Sequence, residues 1–396
     1  MLSLDKVFDA QVVLKKIIRE TNVVRAHGIA PECELYLKPE NLQITGSFKV
    51  RGSAYKIAML SDEEKARGVI ACSAGNHAQG VALAATKNGI KSLICLPDSA
   101  PISKVEATKG YGAEVCLVEG CYDDAYQKAL ELKEQKGYTF VHPFDDENVI
   151  AGQGTIALEI LGELDDIDAI VVPIGGGGLI SGIAYTVKQI RPSVKVYGVQ
   201  AAGAPSMYNS VKDGEIEALP SVSTIADGIA VKQPGENTFR LVSEYVDEVA
   251  LVTDDEVSSA ILALIEKQKM IAEGAGAVAV AAVMAGKFDL KGKRVVAVVS
   301  GGNIDVTSLS RVIDRGLLNS GRSSSLLIEL IDKPGQLKEI SRIIADCGGN
   351  VTGVHYEKGA TESVNGCFLR IEMETRDFDH VNLITRSLRD EGFKIV

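Results

Sequence analysis

Short apolar runs alternate with helix-patterned stretches along most of this chain, and that alternation limits its fold more than any other feature. Val69-Ile-Ala-Cys72, Ser92–Leu96, Glu114–Val118, Ala169–Val172, Val194–Val199 and Arg294–Val299 read as strands buried on both faces. Between them lie stretches such as Asp123–Lys136, in which Ala125, Ala129, Leu130 and Leu132 make one apolar face. The pattern predicts βαβ units and parallel sheets covered by helices on both sides, an α/β fold. Ligands of such sheets bind outside the carboxyl ends of the strands. The residues just after each apolar run are therefore where chemistry is expected.

A chain of 396 residues has room for two or three cores. Its net charge of −11 argues against a nucleic-acid or anionic-membrane partner, either of which needs a basic face. Seven cysteines (Cys33, Cys72, Cys95, Cys116, Cys121, Cys347 and Cys367) show neither metal-ligand spacing nor an even count, so reduced thiols are expected. The first turns carry Asp5 and Asp9 with no signal-peptide apolar region, and the run Ala275–Gly286 is shorter than the roughly 20 residues of a membrane span. A cytoplasmic protein is the expectation.

Four segments carry candidate chemistry. In Glu40–Gly52, Lys49 follows a glycine turn and an apolar approach and precedes a helix. A lysine that forms a Schiff base needs a partly desolvated amine, some of it neutral near pH 7. Ala169–Pro173 leads into Gly175, Gly176, Gly177 and Gly178, with Leu179 opening a helix, which suits several N–H groups converging on an anion. A dinucleotide fingerprint fails here: Ser181 stands at the third glycine place, and the next strand ends in Gln200 rather than an acid. A ligand-free strand–helix turn is the bland alternative. Ser73-Ala-Gly-Asn-His-Ala-Gln-Gly80 follows the strand Val69–Cys72, and its N–H groups and side chains can hold a carboxylate. Ser300-Gly-Gly-Asn-Ile-Asp305 follows the strand Arg294–Val299.

In this order and with these separations, the four segments resemble the fold-type II pyridoxal-phosphate enzymes, specifically their threonine/serine dehydratase branch, from about residue 5 to about residue 318. The resemblance implies pyridoxal phosphate carried on Lys49, with Phe48 beside it. It implies a phosphate site at Gly175, Gly176, Gly177, Gly178 and Leu179, and a substrate-carboxylate loop of Ser73, Ala74, Gly75, Asn76 and His77. Asn76 would also hydrogen-bond the ring hydroxyl, and Ser300 would face the pyridine nitrogen. A serine there leaves the ring a shallower electron sink than an aspartate would, which favours β-elimination over transamination. Related racemases carry a serine at the place of Ala74, so racemisation should be negligible. Glu273 falls near the ring, or is simply a helix N-terminal charge. His77 reads equally as a core or capping histidine. Members with a divalent-cation site use acids where this chain has Gln200, Ala204 and Ser206, so no metal, or only a weakly held monovalent ion, is expected.

The resemblance implies L-threonine deamination to 2-oxobutanoate and ammonia, Lys49 removing the Cα proton and the cofactor phosphate assisting loss of the β-hydroxyl. Serine is a secondary substrate on this reading. L-serine ammonia-lyase and 3-hydroxyaspartate dehydratase are the rivals within the branch. β-Replacement and a non-catalytic amino-acid sensor are the rivals outside it.

Composition changes near Gly316–Ser325, which reads as a linker. Beyond it, Leu326–Leu330, Val351–Glu357, Cys367–Met373 and Phe393–Val396 read as strands. The stretch bearing Leu337, Ile340, Ile343 and Ile344, and Val381–Leu388, read as helices. This βαββαβ order is ferredoxin-like, and with Asp332-Lys-Pro-Gly-Gln-Leu337 it resembles the ACT domains that bind amino acids. The predicted domains are a catalytic region 1–318 with a small subdomain at about 48–150, a linker 319–325 and an ACT-like domain 326–396. Asp332, Gly335, Gln336, Asn350 and Val351 are the implied effector contacts, and a homodimer or homotetramer is expected.

Overall fold

The computed structural model describes residues 2–358 and 366–396. It divides into two compact units, Met1–Val306 and Thr307–Val396.

The first unit contains β1 (Val24–Arg25), β2 (Glu34–Pro39), β3 (Val69–Cys72), β4 (Ser92–Pro97), β5 (Glu114–Val118), β6 (Thr139–Phe140), β7 (Ala169–Pro173), β8 (Lys195–Ala201), β9 (Glu248–Val252) and β10 (Arg294–Val299). One sheet has the order β1-β2-β10-β7-β8-β9 and is parallel except for β1; the other, β5-β4-β3-β6, is parallel throughout. Every residue of β3, β4 and β7 is buried, as continuous apolar runs under helices on both faces require. Helices Glu147–Glu163 and Gly178–Ile190 pack on the larger sheet through Ile156, Ile160, Ile180 and Ile183.

Register decides which loops meet. Val299 of β10 lies beside Pro39 of β2, so Glu40–Phe48 and Ser300–Asn303 leave the sheet side by side at its carboxyl edge. Strands β1, β2, β6 and β9 escaped the sequence reading. β2 is the instructive miss, because a fully buried Lys38 interrupts its apolar run and is neutralised by Glu159 at 2.6 Å and Glu163 at 3.4 Å.

The second unit holds β11 (Ser323–Ile331), β12 (Asn350–Lys358), β13 (Gly366–Glu374) and β14 (Lys394–Ile395) in an antiparallel sheet ordered β12-β13-β11-β14. Helices Gln336–Asp346 and Phe378–Asp390 bury Ile340, Ile343, Ile344, Ile384 and Leu388 against it. The segment 316–325 is not a linker. Helix Val306–Asn319 runs through its first part and β11 begins at Ser323, so the unit boundary falls near residue 306 rather than 318. Small polar residues misled here because Ser323–Ser325 pair along β13 through their backbones, which the side chains do not announce.

Candidate active site

Residues 45–48 and 300–303 run against each other. Phe48 N donates to Ser300 O (3.1 Å), Ser47 and Gly301 form an antiparallel bridge, and Gly302 N donates to Gly46 O (2.9 Å). Gly46 has φ +71°, and a Cβ there would lie 2.3 Å from Asn303 Oδ1, so both the turn and its neighbour demand glycine. This clamp fixes the start of helix Lys49–Ala58. Lys49 Nζ donates to Pro143 O (3.1 Å) and lies 5.3 Å from the Phe48 ring centroid. Burial pushes its ammonium down to about 8, with the negative charge of Glu273 opposing the shift. The acylation rate of Lys49 by an amine reagent on cofactor-free protein, followed by peptide mass spectrometry, should therefore rise about tenfold per pH unit and flatten above about pH 8. A rate still climbing at pH 10 would contradict the burial argument.

The Ser73–Gly80 loop faces this clamp from the smaller sheet. Asn76 opens helix Asn76–Lys87 and donates from Nδ2 to Glu273 Oε1 (2.6 Å). Glu273 is the N-cap residue of helix Gly274–Met284, yet its side chain makes no capping bond. Its carboxyl turns to Asn76 instead. Burial, reinforced by Asp227, raises its pKa to about 7 against the bond from Asn76. Asn303 Nδ2 donates to Thr45 O and to Asn76 Oδ1, both at 2.7 Å. Ser73 Oγ accepts from Gly75 N (3.1 Å) and shapes the loop. The side chain of His77 does not reach the site. It is buried, 2.8 Å from Val141 O and 3.5 Å from Ser53 Oγ, and burial holds it neutral with a pKa of about 3. It is a core histidine, and the sequence reading placed it with the carboxylate loop because only its backbone belongs there.

The glycine run turns from β7 into helix Gly178–Ile190 through Gly177 at φ +98°. The first N–H groups of a helix have no intrahelical acceptor and carry its positive end. Phe144 lies over this turn: a Cβ on Gly176 would come within 2.5 Å of its ring, and one on Gly178 within 2.9 Å of its Cα. Thr238 Oγ1 donates to Gly176 O (2.6 Å), and Thr238 N donates to Asp145 Oδ1 (3.1 Å). His142 Nδ1 accepts from Phe144 N (3.3 Å) and Asp145 N (2.8 Å), so burial, which lowers its pKa, keeps that nitrogen an acceptor. Leu179 is buried in the large-sheet core. The loop His142–Asp145 thus touches both Lys49 and the glycine turn. Sequence reasoning missed it, together with Thr238, because these residues carry no spacing signal of their own; Asn303 stands in the Ser300–Asp305 segment but had no role assigned.

Ser300 Oγ donates to Ala275 O (3.2 Å) and brings no charge to the end of β10. Gln200 Oε1 accepts from Tyr208 N (2.8 Å) and Ser206 Oγ donates to Val231 O (2.7 Å), so these oxygens are already engaged within the protein. Among the described residues no group of three His, Cys, Asp or Glu is placed to hold a metal ion. A concavity of about 500 Å³ lies at the opposite end of the large sheet, lined by Glu34, Asp165, Asp166, Asp168, Arg191 and Arg294. Its two arginines are taken up by acids of the same wall, Arg294 3.0 Å from Glu34 and Arg191 3.6 Å from Asp165, and strand amino ends are the wrong place for a site in a parallel sheet.

The proposed effector residues are not brought together within one chain. Asp332, Gly335 and Gln336 follow the end of β11, whereas Asn350 and Val351 begin β12, which pairs with β13 at the end where β11 starts. Nine residues of strand, roughly 30 Å, separate the two groups. Asn350 Nδ2 donates to Glu374 Oε2 (2.8 Å).

The residues of the first unit fit pyridoxal phosphate. They offer a buried amine of lowered basicity, the N-terminus of helix Gly178–Ile190 reached through glycines, whose first N–H groups lack intrahelical acceptors, and an uncharged hydroxyl at the end of β10. Comparison with known proteins agrees with this chemistry. Residues 14–301 match the family described as Pyridoxal-phosphate dependent enzyme. The chain is 48% identical to the L-threonine ammonia-lyase of Thermotoga maritima, over 100% of this chain and 99% of that protein. Among solved structures, the processed form of threonine deaminase isoform 2 from Solanum lycopersicum superposes with a TM-score of 0.76 at 39% identity, covering 79% of this chain and 89% of that one. Maize serine racemase superposes at 0.75 with 34% identity, covering 80% and 98%. From its buried lysine to its glycine turn, the chain belongs to the pyridoxal-phosphate dependent enzymes.

Proposed function

We propose that the protein deaminates L-threonine to 2-oxobutanoate and ammonia, and L-serine more slowly to pyruvate. The observation that carries this is the buried Lys49 amine, whose pKa is drawn down to about 8 so that part of it is neutral at physiological pH, held at Pro143 O. Gly175–Gly178 and Leu179 would hold the phosphate of pyridoxal phosphate, Asn76 its ring oxygen and Ser300 its ring nitrogen. When bound, pyridoxal phosphate supplies the electron-accepting ring that makes the substrate Cα–H acidic. The N–H groups of Ser73–His77 orient the substrate carboxylate at a helix N-terminus. Lys49 Nζ would take the Cα proton, and the β-hydroxyl would leave as water by gaining a proton, so that the proton lost at Cα and the one gained by the hydroxyl balance. The released enamine becomes an imine and is hydrolysed to the 2-oxo acid and ammonia. Ala74, with only a methyl group, gives no second proton carrier on the opposite face, which supports elimination over the racemisation of related structures. Seven cysteines without a disulfide framework in their spacing suit a reducing, cytoplasmic setting.

The test incubates the purified protein and pyridoxal phosphate with L-threonine and L-serine separately. Faster 2-oxobutanoate formation, in kcat/KM terms, is the expected result, with a preference of about tenfold or more since one methyl is worth about 1–3 kcal/mol of pocket contact. Faster pyruvate would reassign the substrate to serine. No oxo acid from either would overturn the reaction.

The second unit serves as an ACT-like amino-acid sensor in this reading. Because its two groups of effector residues lie at opposite ends of the sheet, a ligand meeting both must sit between two copies, which implies a homodimer or homotetramer. Deleting residues after about 320 should leave catalysis and remove inhibition by isoleucine or valine. A truncated protein that is still inhibited would reject this role.

A further inference from the structure

We propose that Asn303 is a positioning residue whose amide, oriented by the Thr45 carbonyl, turns the N–H end of Asn76 toward the cofactor ring oxygen. The inference deepens the proposed function and rests on its assignment of Asn76 to that oxygen. A backbone carbonyl can only accept, so the end of Asn303 facing Thr45 O must be Nδ2. The same nitrogen then donates to Asn76, so the end of Asn76 facing it must be Oδ1. Asn76 is left presenting Nδ2 to Glu273 Oε1, with its second N–H available to another acceptor. One backbone carbonyl in the clamp thus sets, through Asn303, which end of an amide on the other sheet faces Asn303. Glu273 does not fix the amide alone, because its carboxyl, with a pKa raised to about 7, can also donate when protonated; without Asn303 the amide can then rotate and present its oxygen to the ring oxygen, where two acceptors repel. Gly46 belongs to the device, since any side chain there would occupy the place of Asn303 Oδ1.

The experiment strips the full-length protein of pyridoxal phosphate and measures its rebinding by titration, together with the visible absorption maximum of the reloaded protein. Asn303→Asp keeps the shape but removes the donor; Asn303→Ala removes both bonds without adding charge and guards against charge repulsion as the cause. Asn76→Ala and the double variant N76A/N303A complete a cycle. N76A should weaken binding about tenfold, as loss of a bond to a charged oxygen does, and displace the absorption maximum. N303D and N303A should reproduce both changes in the same direction, and the double variant should be no weaker than N76A alone. If N76A shows both effects while N303D and N303A behave as wild type, the positioning role is overturned and the assignment of Asn76 stands. Additive losses in the double variant also overturn it, since Asn303 would then act independently of Asn76. If N76A itself changes neither readout, the assignment of Asn76 falls and the inference falls with it. Thermal midpoints of the cofactor-free variants within about 2 °C of wild type are expected, because a general weakening of the clamp would lower all of them together.

Discussion

Replacing Lys49 with alanine lowers 2-oxo acid formation from L-threonine at least about a thousandfold and abolishes the visible band of the loaded protein, since one side chain serves as both covalent anchor and base. Lys49→Arg gives the same result. The guanidinium stays protonated and can neither condense with a carbonyl nor take a proton. Pyridoxal phosphate still associates with both variants through the Gly175–Gly178 turn, so retention on dialysis falls while weak reversible binding persists. A K49A protein that keeps either the band or more than a few per cent of the activity contradicts the assignment of this residue.

Replacing Arg51 with alanine destabilises the first unit by about 3–5 kcal/mol, read as a fall of order 10 °C in its thermal midpoint. Arg51 is fully buried two residues beyond Lys49. Its guanidinium makes paired bonds to Glu40 (2.8 and 2.8 Å) and to Glu159 (2.6 and 2.8 Å). Lys38 stands 2.6 Å from Glu159, so two cations and two acids share one dry space. Burial disfavours ionised Glu159, but the bonds and charges of Arg51 and Lys38 outweigh it and hold its pKa below the ordinary carboxylate value. A lowered folded pKa means that this stabilisation is present at neutral pH and is lost as pH falls through the depressed value. In R51A the acids are left without their main partner, so the variant loses stability at neutral pH and its acid dependence in this range flattens. The double change Arg51→Met, Glu40→Gln should recover much of the loss, because it removes one charge of each sign and leaves Glu159 paired with Lys38. A midpoint shift under about 2 °C in R51A, or no recovery in the double variant, would show that the network carries little energy.

The same network shows where sequence reading stops. Arg51 is visible in the motif, but nothing local says that it is buried or that Glu159, over a hundred positions later, closes around it. Lys38 has the opposite effect, concealing β2 by placing a charge in an apolar run that only distant acids make tolerable. Strands β3, β5 and β10 were read to the residue because their signal is their own composition. The 316–325 segment was misread because a strand can be held by backbone pairing alone.

Sequence by itself determined the α/β class and singled out Lys49 and Gly175–Gly178, the proposed reactive amine and anion turn. Each depends on neighbours a few positions away: an apolar run, a turn residue needing positive φ, a helix start. Tertiary structure decided that His77 faces the core, that Glu273 turns from its helix to Asn76, and that His142–Asp145 bridges lysine and glycine turn. It also decided which end of the Asn76 amide enters the site, through a carbonyl and an asparagine more than two hundred residues apart. The physical reason is that burial and hydrogen-bond direction belong to pairs of groups, and strand register, not chain order, chooses the pairs.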